Sequence, residues 1–386
     1  MDFEFTENQD AIRKAVSELC KTFPPTYWRA KDKEKQYPEE FVKALTSAGW
    51  LSALIPTEYG GAGLGMLEAS IILEEINRSG AVATACHAQM YTMGAILRHG
   101  SPEQKAKYLP GIAKGEIRLQ SMALTEPESG SDTPKIKTFA RREGDSYVVN
   151  GHKIFISRVQ HSDLMLLVAR TTPYEKAEKK TMGVSLFLVD LRKAGEGLKV
   201  NPIETLVNHE TNELEIQDLV IPKENLLGKE GMGFYHLLDG LNAERILVAA
   251  ECVGDGYWFI DKATSYAKQR VVFDKPIGAN QGVQFPIARA YSDIRAADLV
   301  RYKAASKFDQ GKDCGEEANM AKLLASEASW EAANVAMTTY GGYGMAVDSD
   351  VERKFRESRL FLTAPVANNL ILGYLGSHTL GLPRSF

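Results

Sequence analysis

Apolar residues recur three and four positions apart from Thr6 to about Gly115, in FVKALTSAGWL, LEASIILEEINRSG and SPEQKAKYLPGIAKGE, with Gly or Ser-Pro between them. That spacing gathers them on one face of a 3.6-residue helix, so the first third of the chain is expected to be helical. Near Leu119 the period shortens to two, through SYVVNGHKIFIS, DLMLLVAR, GVSLFLVD and ELEIQDLVIP. This predicts strands as far as Pro222, with a hairpin turn at Asn150-Gly151. From about Gly233 the helical period returns in four long segments, 233–269, 281–310, 316–339 and 351–376, broken by FDKPIGANQ, GKDCG and YGGYGMAVDSD. Such segments would pack as a helical bundle. Helices, then strands, then helices is not the βαβ alternation of a dinucleotide-binding parallel sheet, which argues against a Rossmann site.

Composition narrows the function classes. The 386 residues hold 46 Lys and Arg against 50 Asp and Glu, a net charge of −4 with no block of one sign, so neither nucleic acid nor an anionic membrane surface is an expected partner. The four cysteines, Cys20, Cys86, Cys252 and Cys314, lack CxxC spacing, which suits a reducing compartment and points to no metal site. The N-terminus is acidic and amphipathic rather than signal-like, and no window reaches the roughly 18 apolar residues of a membrane span. A cytoplasmic protein is expected.

Several stretches carry candidate chemistry. In HLLDGLNAERILVAAE (236–251), Leu237, Leu241 and Val248 form an apolar stripe, and Glu244 falls inside it. A carboxylate there is costly to ionise unless paired, so its pKa is expected to rise toward the range of a general base; the alternative is an ion pair with Arg245 or another base. LTEPESGSD (124–132) offers Thr125, Ser129, Ser131 and the backbone at Gly130 as donors on a tight turn, fit for a phosphate or a polar ring edge, or simply an interdomain loop. In HKIFIS (152–157), alternation puts Phe155 and Ser157 on one strand face, able to stack on a flat ligand and bond its edge, or merely to pack. RVVFDKPIGANQ brings Arg270, Phe273 and Gln281 to a helix end, and Arg can pair bidentately with phosphate. TTYGGYG (338–344) has paired glycines that admit close backbone approach, or cap a helix.

Taken together, in this order and over almost the whole chain, LTEPESGSD, VNGHKIFIS, PKENLLGKEGMGF and RVVFDKPIGANQ resemble the FAD-dependent acyl-CoA dehydrogenase family. The resemblance implies an α-helical domain (1–117), a central β-barrel domain (118–230) and a C-terminal four-helix bundle (231–386). It implies bound FAD, with Met122, Leu124, Thr125, Gly130, Ser131, Phe155, Ile156 and Ser157 on the flavin side. Arg270, Phe273, Gln281, Thr338, Gly341 and Gly342 would reach the adenine half of an FAD held by a neighbouring subunit, so a dimer at least, commonly a dimer of dimers, is implied. The family reaction takes the α-proton of an acyl thioester with a glutamate while the β-hydrogen leaves as hydride to flavin, giving a trans-2-enoyl thioester in fatty acid β-oxidation. The family's usual home for that glutamate is filled here by Pro365, Val366 and Ala367 in RLFLTAPVANNLI. Its second home, that of isovaleryl-CoA and long-chain acyl-CoA dehydrogenases, matches Ala243-Glu244-Arg245, so Glu244 is the implied base, with Asn242, Arg245 and Ser131 toward the substrate. Pro365 also stands where relatives donate a main-chain N–H to the thioester carbonyl, and proline has none; the Val366 amide or a flavin ribityl hydroxyl would have to replace it.

The expected function is acyl-CoA dehydrogenation with an electron-transferring flavoprotein as acceptor. An acyl-CoA oxidase, a dehydrogenase of carrier-protein thioesters, and a non-catalytic flavin- or thioester-binding protein are the alternatives. The helix expected through 79–97 corresponds to a wall of the family's acyl tunnel, and its small Ser79, Ala83 and Ala85 favour a roomy pocket for medium, long or branched chains.

Overall fold

The computed structural model describes residues 5–384. Its helices are α1 (Glu7–Lys21), α2 (Pro25–Lys33), α3 (Glu39–Ser47), α4 (Met66–Arg78), α5 (Thr84–His99), α6 (Pro102–Lys114), α7 (Gly233–Gln269), α8 (Gln281–Asp309), α9 (Gly315–Tyr340), α10 (Val351–Leu360) and α11 (Asn368–Tyr374). Between α6 and α7 run β1 (Ser121–Ala123), β2 (Phe139–Glu143), β3 (Ser146–Ser157), β4 (Leu164–Arg170), β5 (Val184–Asp190), β6 (Leu198–Pro202), β7 (Thr211–Pro222) and β8 (Leu226–Leu227). The short β9 (Val271–Val272) and β10 (Lys275–Pro276) separate α7 from α8. A sheet region therefore follows one set of helices and precedes another, as the change of period anticipates. The chain divides into two units, one of residues 35–64 and 84–241, the other of residues 1–34, 65–83 and 242–386.

The first unit is built around the sheet. Its strand order is β6-β7-β3-β2-β4-β5-β8, with β1 pairing β4 in parallel. Every residue of β4 is buried, which explains its unbroken apolar run. The period of two still sorts the side chains. Leu164, Leu166 and Val168 of β4 join Val184, Leu186 and Leu188 of β5 in a core with Met93 and Ile96 of α5 and Leu109 and Ile112 of α6. Met165, Leu167 and Ala169 join Phe187, Val149, Leu214 and Ile216 in a second core on the other face. Each such leucine or valine contributes roughly 1.5–3 kcal/mol by leaving water.

Four expectations are corrected here. The sheet has β6 and β8 as its ends, with no pairing among the described residues that closes a barrel. Asn150-Gly151 is not the hairpin turn but lies inside β3, at a register shift against β7. A Cβ on Gly151 would come within 2.3 Å of Thr138 Oγ1, and the Asn150 side chain is occupied by the Asp218 amide at 2.9 Å. The turn instead lies between Glu143 and Ser146, where Gly144 takes φ +59°. Finally, α5 begins at Thr84, leaving Ser79–Ala83 outside it, and the segment expected as one helix over 351–376 is two, α10 and α11, interrupted around Pro365.

The second unit is helical. Trp258, Phe259 and Ala263 of α7 pack with Ala290 of α8, Ala332, Ala333 and Ala336 of α9 and Val351 of α10, small side chains that let the helices approach closely. The N-terminus of α4 is closed from α8, since Asp309 accepts from the Met66 and Leu67 amides at 2.6 and 2.9 Å.

Candidate functional site

In the first unit, the Leu124–Asp132 turn is anchored from beneath. Lys153 of β3, fully buried, donates to the Leu124 carbonyl and to Glu126 Oε1, both at 2.8 Å. Glu126 also accepts from the Lys137 and Thr138 amides at 2.5 and 2.9 Å. Burial alone would raise the Glu126 carboxyl, but Lys153 and those amides hold it below its ordinary value. Burial pushes Lys153 down to about 8, so the pair is ionised at neutral pH. With Glu126 spent on support, Ser129 is not available either, being buried with its hydroxyl donating to the Asp132 carbonyl at 2.5 Å. The groups left toward the outside are Ser131, which is exposed, and Met122, Leu124 and Thr125, which are partly buried. Thr125 gives its carbonyl to the Ile154 amide at 2.9 Å, while its own N–H and hydroxyl find no partner among the described residues.

That bond also joins the turn to β3, so Met122–Ser131 and Phe155–Ser157 come together. A bulge between Lys153 and Ile156 breaks the alternation: both are buried although three apart, and Phe155, at φ +59°, is 60% exposed. Phe155 and the half-buried Ser157 flank Ile156, whose carbonyl accepts from Asn212 Nδ2 at 3.1 Å.

Immediately after Ser157 stands a residue that sequence reasoning missed. Arg158 is buried in a left-handed conformation, φ +58°. It donates to Thr84 Oγ1 at 2.5 Å and to His209 Nδ1 at 3.2 Å and lies 3.6 Å from Glu210. Its role is to fix the end of β3 against the start of α5. No local signal separates it from a surface arginine at a strand end, because Thr84 and His209 are remote in sequence.

The same unit carries a pH dependence. Burial holds His99, His161, His209 and His236 below the ordinary 6.5, His209 the most strongly and with Arg158 beside it. When unfolded, each binds a proton more readily than when folded, so stability rises with pH up to about 6.5 and is lost on acidification below it. The denaturant midpoint is expected to fall between about pH 7 and pH 5, and His209→Asn is expected to flatten that slope.

In the second unit, a cavity of about 590 Å³ is lined by Tyr266, Arg270, Val272, Thr339, Gly341 and Gly342 among others. Arg270 is exposed and its guanidinium has no partner among the described residues. A Cβ on Gly341 or Gly342 would meet nothing within 4 Å, so space is left before both glycines. Tyr266 stacks on Tyr340 at 4.2 Å with 20° between planes, forming an aromatic wall. Tyr266 was also missed, although its place one helical turn before Arg270 was a usable signal. Thr338 and Gln281 are exposed and do not line the cavity. Phe273 sits at the tip of the β9–β10 hairpin, where it and Asp274 take φ +51° and +62°, and it is 92% exposed. These groups suit the phosphate and flat base of a nucleotide such as the adenine half of FAD, and the Thr125 turn, taken by itself, offers donors that suit the polar edge of a flat ring.

On α7, Glu244 is 3% exposed. Arg245 beside it donates to Asn242 Oδ1 at 3.1 Å, while its Nε is buried without a partner among the described residues. Burial lowers the Arg245 guanidinium, and Glu244 pulls the other way. Asn242 thus holds Arg245, and Arg245 keeps a donor in hand.

Family models cover nearly the whole chain: the acyl-CoA dehydrogenase N-terminal domain over residues 6–116, the middle domain over 121–219 and the C-terminal domain over 231–364. The acyl-CoA dehydrogenase FadE12 of Mycobacterium tuberculosis (strain ATCC 25618 / H37Rv) is 35% identical over 99% of this chain and 98% of its own length. The acryloyl-CoA reductase (NADH) of Anaerotignum propionicum is 34% identical over 93% of this chain and 91% of its own. Among solved structures, the glutaryl-coenzyme A dehydrogenase glutaryl-CoA complex superposes with a TM-score of 0.93 at 31% identity, covering 100% of this chain and 98% of that one. A chain in the structure of the electron transferring flavoprotein of Acidaminococcus fermentans gives 0.92 at 32% identity, over 98% and 100%. The FAD complex of PigA gives 0.92 at 26%, over 99% and 100%. With all three domain models matched in order and relatives above 30% identity along its length, the chain belongs to the acyl-CoA dehydrogenase family of oxidoreductases.

Proposed function

We propose that this enzyme catalyses the FAD-dependent α,β-dehydrogenation of a saturated acyl-CoA to the trans-2-enoyl-CoA, with Glu244 as the base. The observation that carries the reading is a carboxylate almost wholly withdrawn from water in the apolar stripe of α7, next to an arginine with an uncommitted donor. When bound, FAD would supply the acceptor for the β-hydrogen as hydride. Glu244 takes the α-proton. Arg245, steadied by Asn242, offers its Nε to an anionic or carbonyl oxygen of the thioester ligand. At the α10–α11 connection, Pro365 has no N–H, and the Val366 amide, which donates to no carbonyl among the described residues, takes over the polarisation of the thioester carbonyl. Thr125, Ser131 and Ser157 are the residues that would hold the polar edges of the flavin.

The cavity at Arg270, Gly341 and Gly342 would receive the adenine half of an FAD held by a second copy of the chain. The exposed Phe273, Tyr343 and Met345 nearby in sequence support a dimer at least. Arg270→Ala is expected to weaken FAD about tenfold or more, the loss of a charge-assisted contact, read by fluorescence titration of the apoprotein. Electrons would leave through an electron-transferring flavoprotein, a reading supported by the Acidaminococcus structure.

The reductase among the relatives favours a second reading, in which the same residues run the reaction toward the saturated thioester. A panel of saturated and 2-enoyl thioesters of increasing chain length, assayed with a dye oxidant and with a reductant, tests both. Turnover of saturated acyl-CoA supports the dehydrogenase; turnover confined to the enoyl thioesters supports the reductase.

A further inference from the structure

The last turn of α5 holds an arginine whose guanidinium does not serve the helix end. A basic side chain there ordinarily faces the closing carbonyls, but that of Arg98 folds back one turn. Its Nη2 lies 3.1 Å from where a Cβ on Gly94 would stand and 3.0 Å from where one on Gly240 of α7 would stand. Both residues belong to the first unit. Two missing side chains, one on each helix, thus make the seat that the guanidinium occupies. Arg98 has no hydrogen bond or ion pair among the described residues, and the carboxylate beside Gly240, that of Asp239, stands instead 3.3 Å from His99 Nε2. The arginine is exposed, yet desolvation draws its guanidinium below the ordinary value, with Asp239 opposing, as in a cleft open on one side. A fork of donors is therefore held in place without an acceptor.

The identity of the acceptor follows from α7. Gly240 lies one turn, about 6 Å, before Glu244 along this single helix. Leu238 and Asp239 are exposed, Gly240, Leu241 and Asn242 are half-buried, and Ala243 and Glu244 are buried, so the direction from Glu244 back to Gly240 leads toward water. A thioester with its α-carbon at Glu244 sends its apolar acyl group away from water and its hydrophilic carrier arm toward it. The first acceptor met on that arm is the amide carbonyl nearest sulfur. The phosphates of CoA lie beyond a second amide and overshoot a single helical turn.

We propose that Arg98, seated between Gly94 and Gly240, holds the amide carbonyl nearest sulfur in the carrier arm of the thioester, and so distinguishes a pantetheine-type thioester from a simple alkyl one. The proposal rests on the acyl-thioester reading of the site, with Glu244 at the α-carbon. The test supplies the acyl group that the enzyme turns over best as its CoA, N-acetylcysteamine and propyl thioesters, together with the CoA thioester of a dicarboxylic acid. The N-acetylcysteamine and propyl thioesters differ by the amide in question. In the wild type, kcat/KM is expected to be about tenfold higher for the N-acetylcysteamine thioester than for the propyl one, the worth of one bond from a charged donor. In Arg98→Met that ratio is expected to fall to near one, through KM with kcat unchanged, and the CoA thioester to lose the same factor. Arg98→Lys keeps the charge without the fork and is expected to recover part of the ratio. A merely structural role would slow all the thioesters alike, and that result, or an unchanged ratio, overturns the proposal. A loss confined to the CoA thioesters would assign the arginine to a phosphate, and a loss confined to the dicarboxylic thioester would assign it to the acyl end; either also overturns it. A wild type that turns over none of the thioesters would instead sink the reading of the site itself.

Discussion

Glu244→Gln is expected to lower kcat by about 10³-fold, within the usual span for loss of a positioned general base. The amide is nearly isosteric with the carboxyl, so the packing of α7 survives and the variant is expected to stay yellow with FAD and to bind thioester with little change in affinity. Glu244→Asp, which keeps the function but retracts it by one methylene, should recover part of the activity. Steady-state assays with a dye acceptor, alongside the flavin spectrum, separate loss of the base from loss of the cofactor.

The largest effect on stability is expected at Arg301, in α8 and fully buried. Its guanidinium donates to Ser70 Oγ at 2.7 Å, to Glu74 Oε2 at 2.6 Å and to Asp298 Oδ1 at 2.6 Å. Arg13 and Tyr302 also reach Glu74, at 2.9 and 3.1 Å. Even with these partners, burial holds the Glu74 carboxyl above its ordinary value. Arg301→Met fills the space but takes from Glu74 and Asp298 the guanidinium they share, leaving Glu74 with Arg13 and Tyr302 and Asp298 with Tyr257, and breaking a buried pair in this way costs about 3–5 kcal/mol. Because a carboxyl with a raised folded pKa contributes its stability below its unfolded pKa and loses it as pH rises through the folded one, the deficit should be larger at pH 8 than at pH 5. Urea midpoints at the two pH values measure it.

Long, uninterrupted periodicity was legible: α7 spans the segment read as 233–269, because nothing local competes with its stripe. What failed was local chemistry with a non-local answer. Asn150-Gly151 has turn composition, yet Asp218 and Thr138 hold it inside β3. Strand closure depends on pairings between distant segments, and the run from β6 to β8 could not be read from alternation. The long segment from Val351 was read through Pro365, although the missing N–H was visible. Within the site, Glu244 was conspicuous because a carboxylate interrupts leucine and valine. Lys322, buried in α9, interrupts alanines and serines, a weaker contrast, and does not stand out in the sequence. Arg158 was invisible for a different reason, since its burial is made by Thr84 and His209 from other parts of the chain.

The most direct measurement of the central claim is anaerobic mixing of the FAD-loaded enzyme with a saturated acyl-CoA, following the flavin absorbance in a stopped-flow instrument. The wild type is expected to bleach within the time of a few turnovers, and Glu244→Gln to bind the thioester while its flavin stays oxidised. Bleaching of Glu244→Gln at the wild-type rate would contradict the assignment of this glutamate as the base.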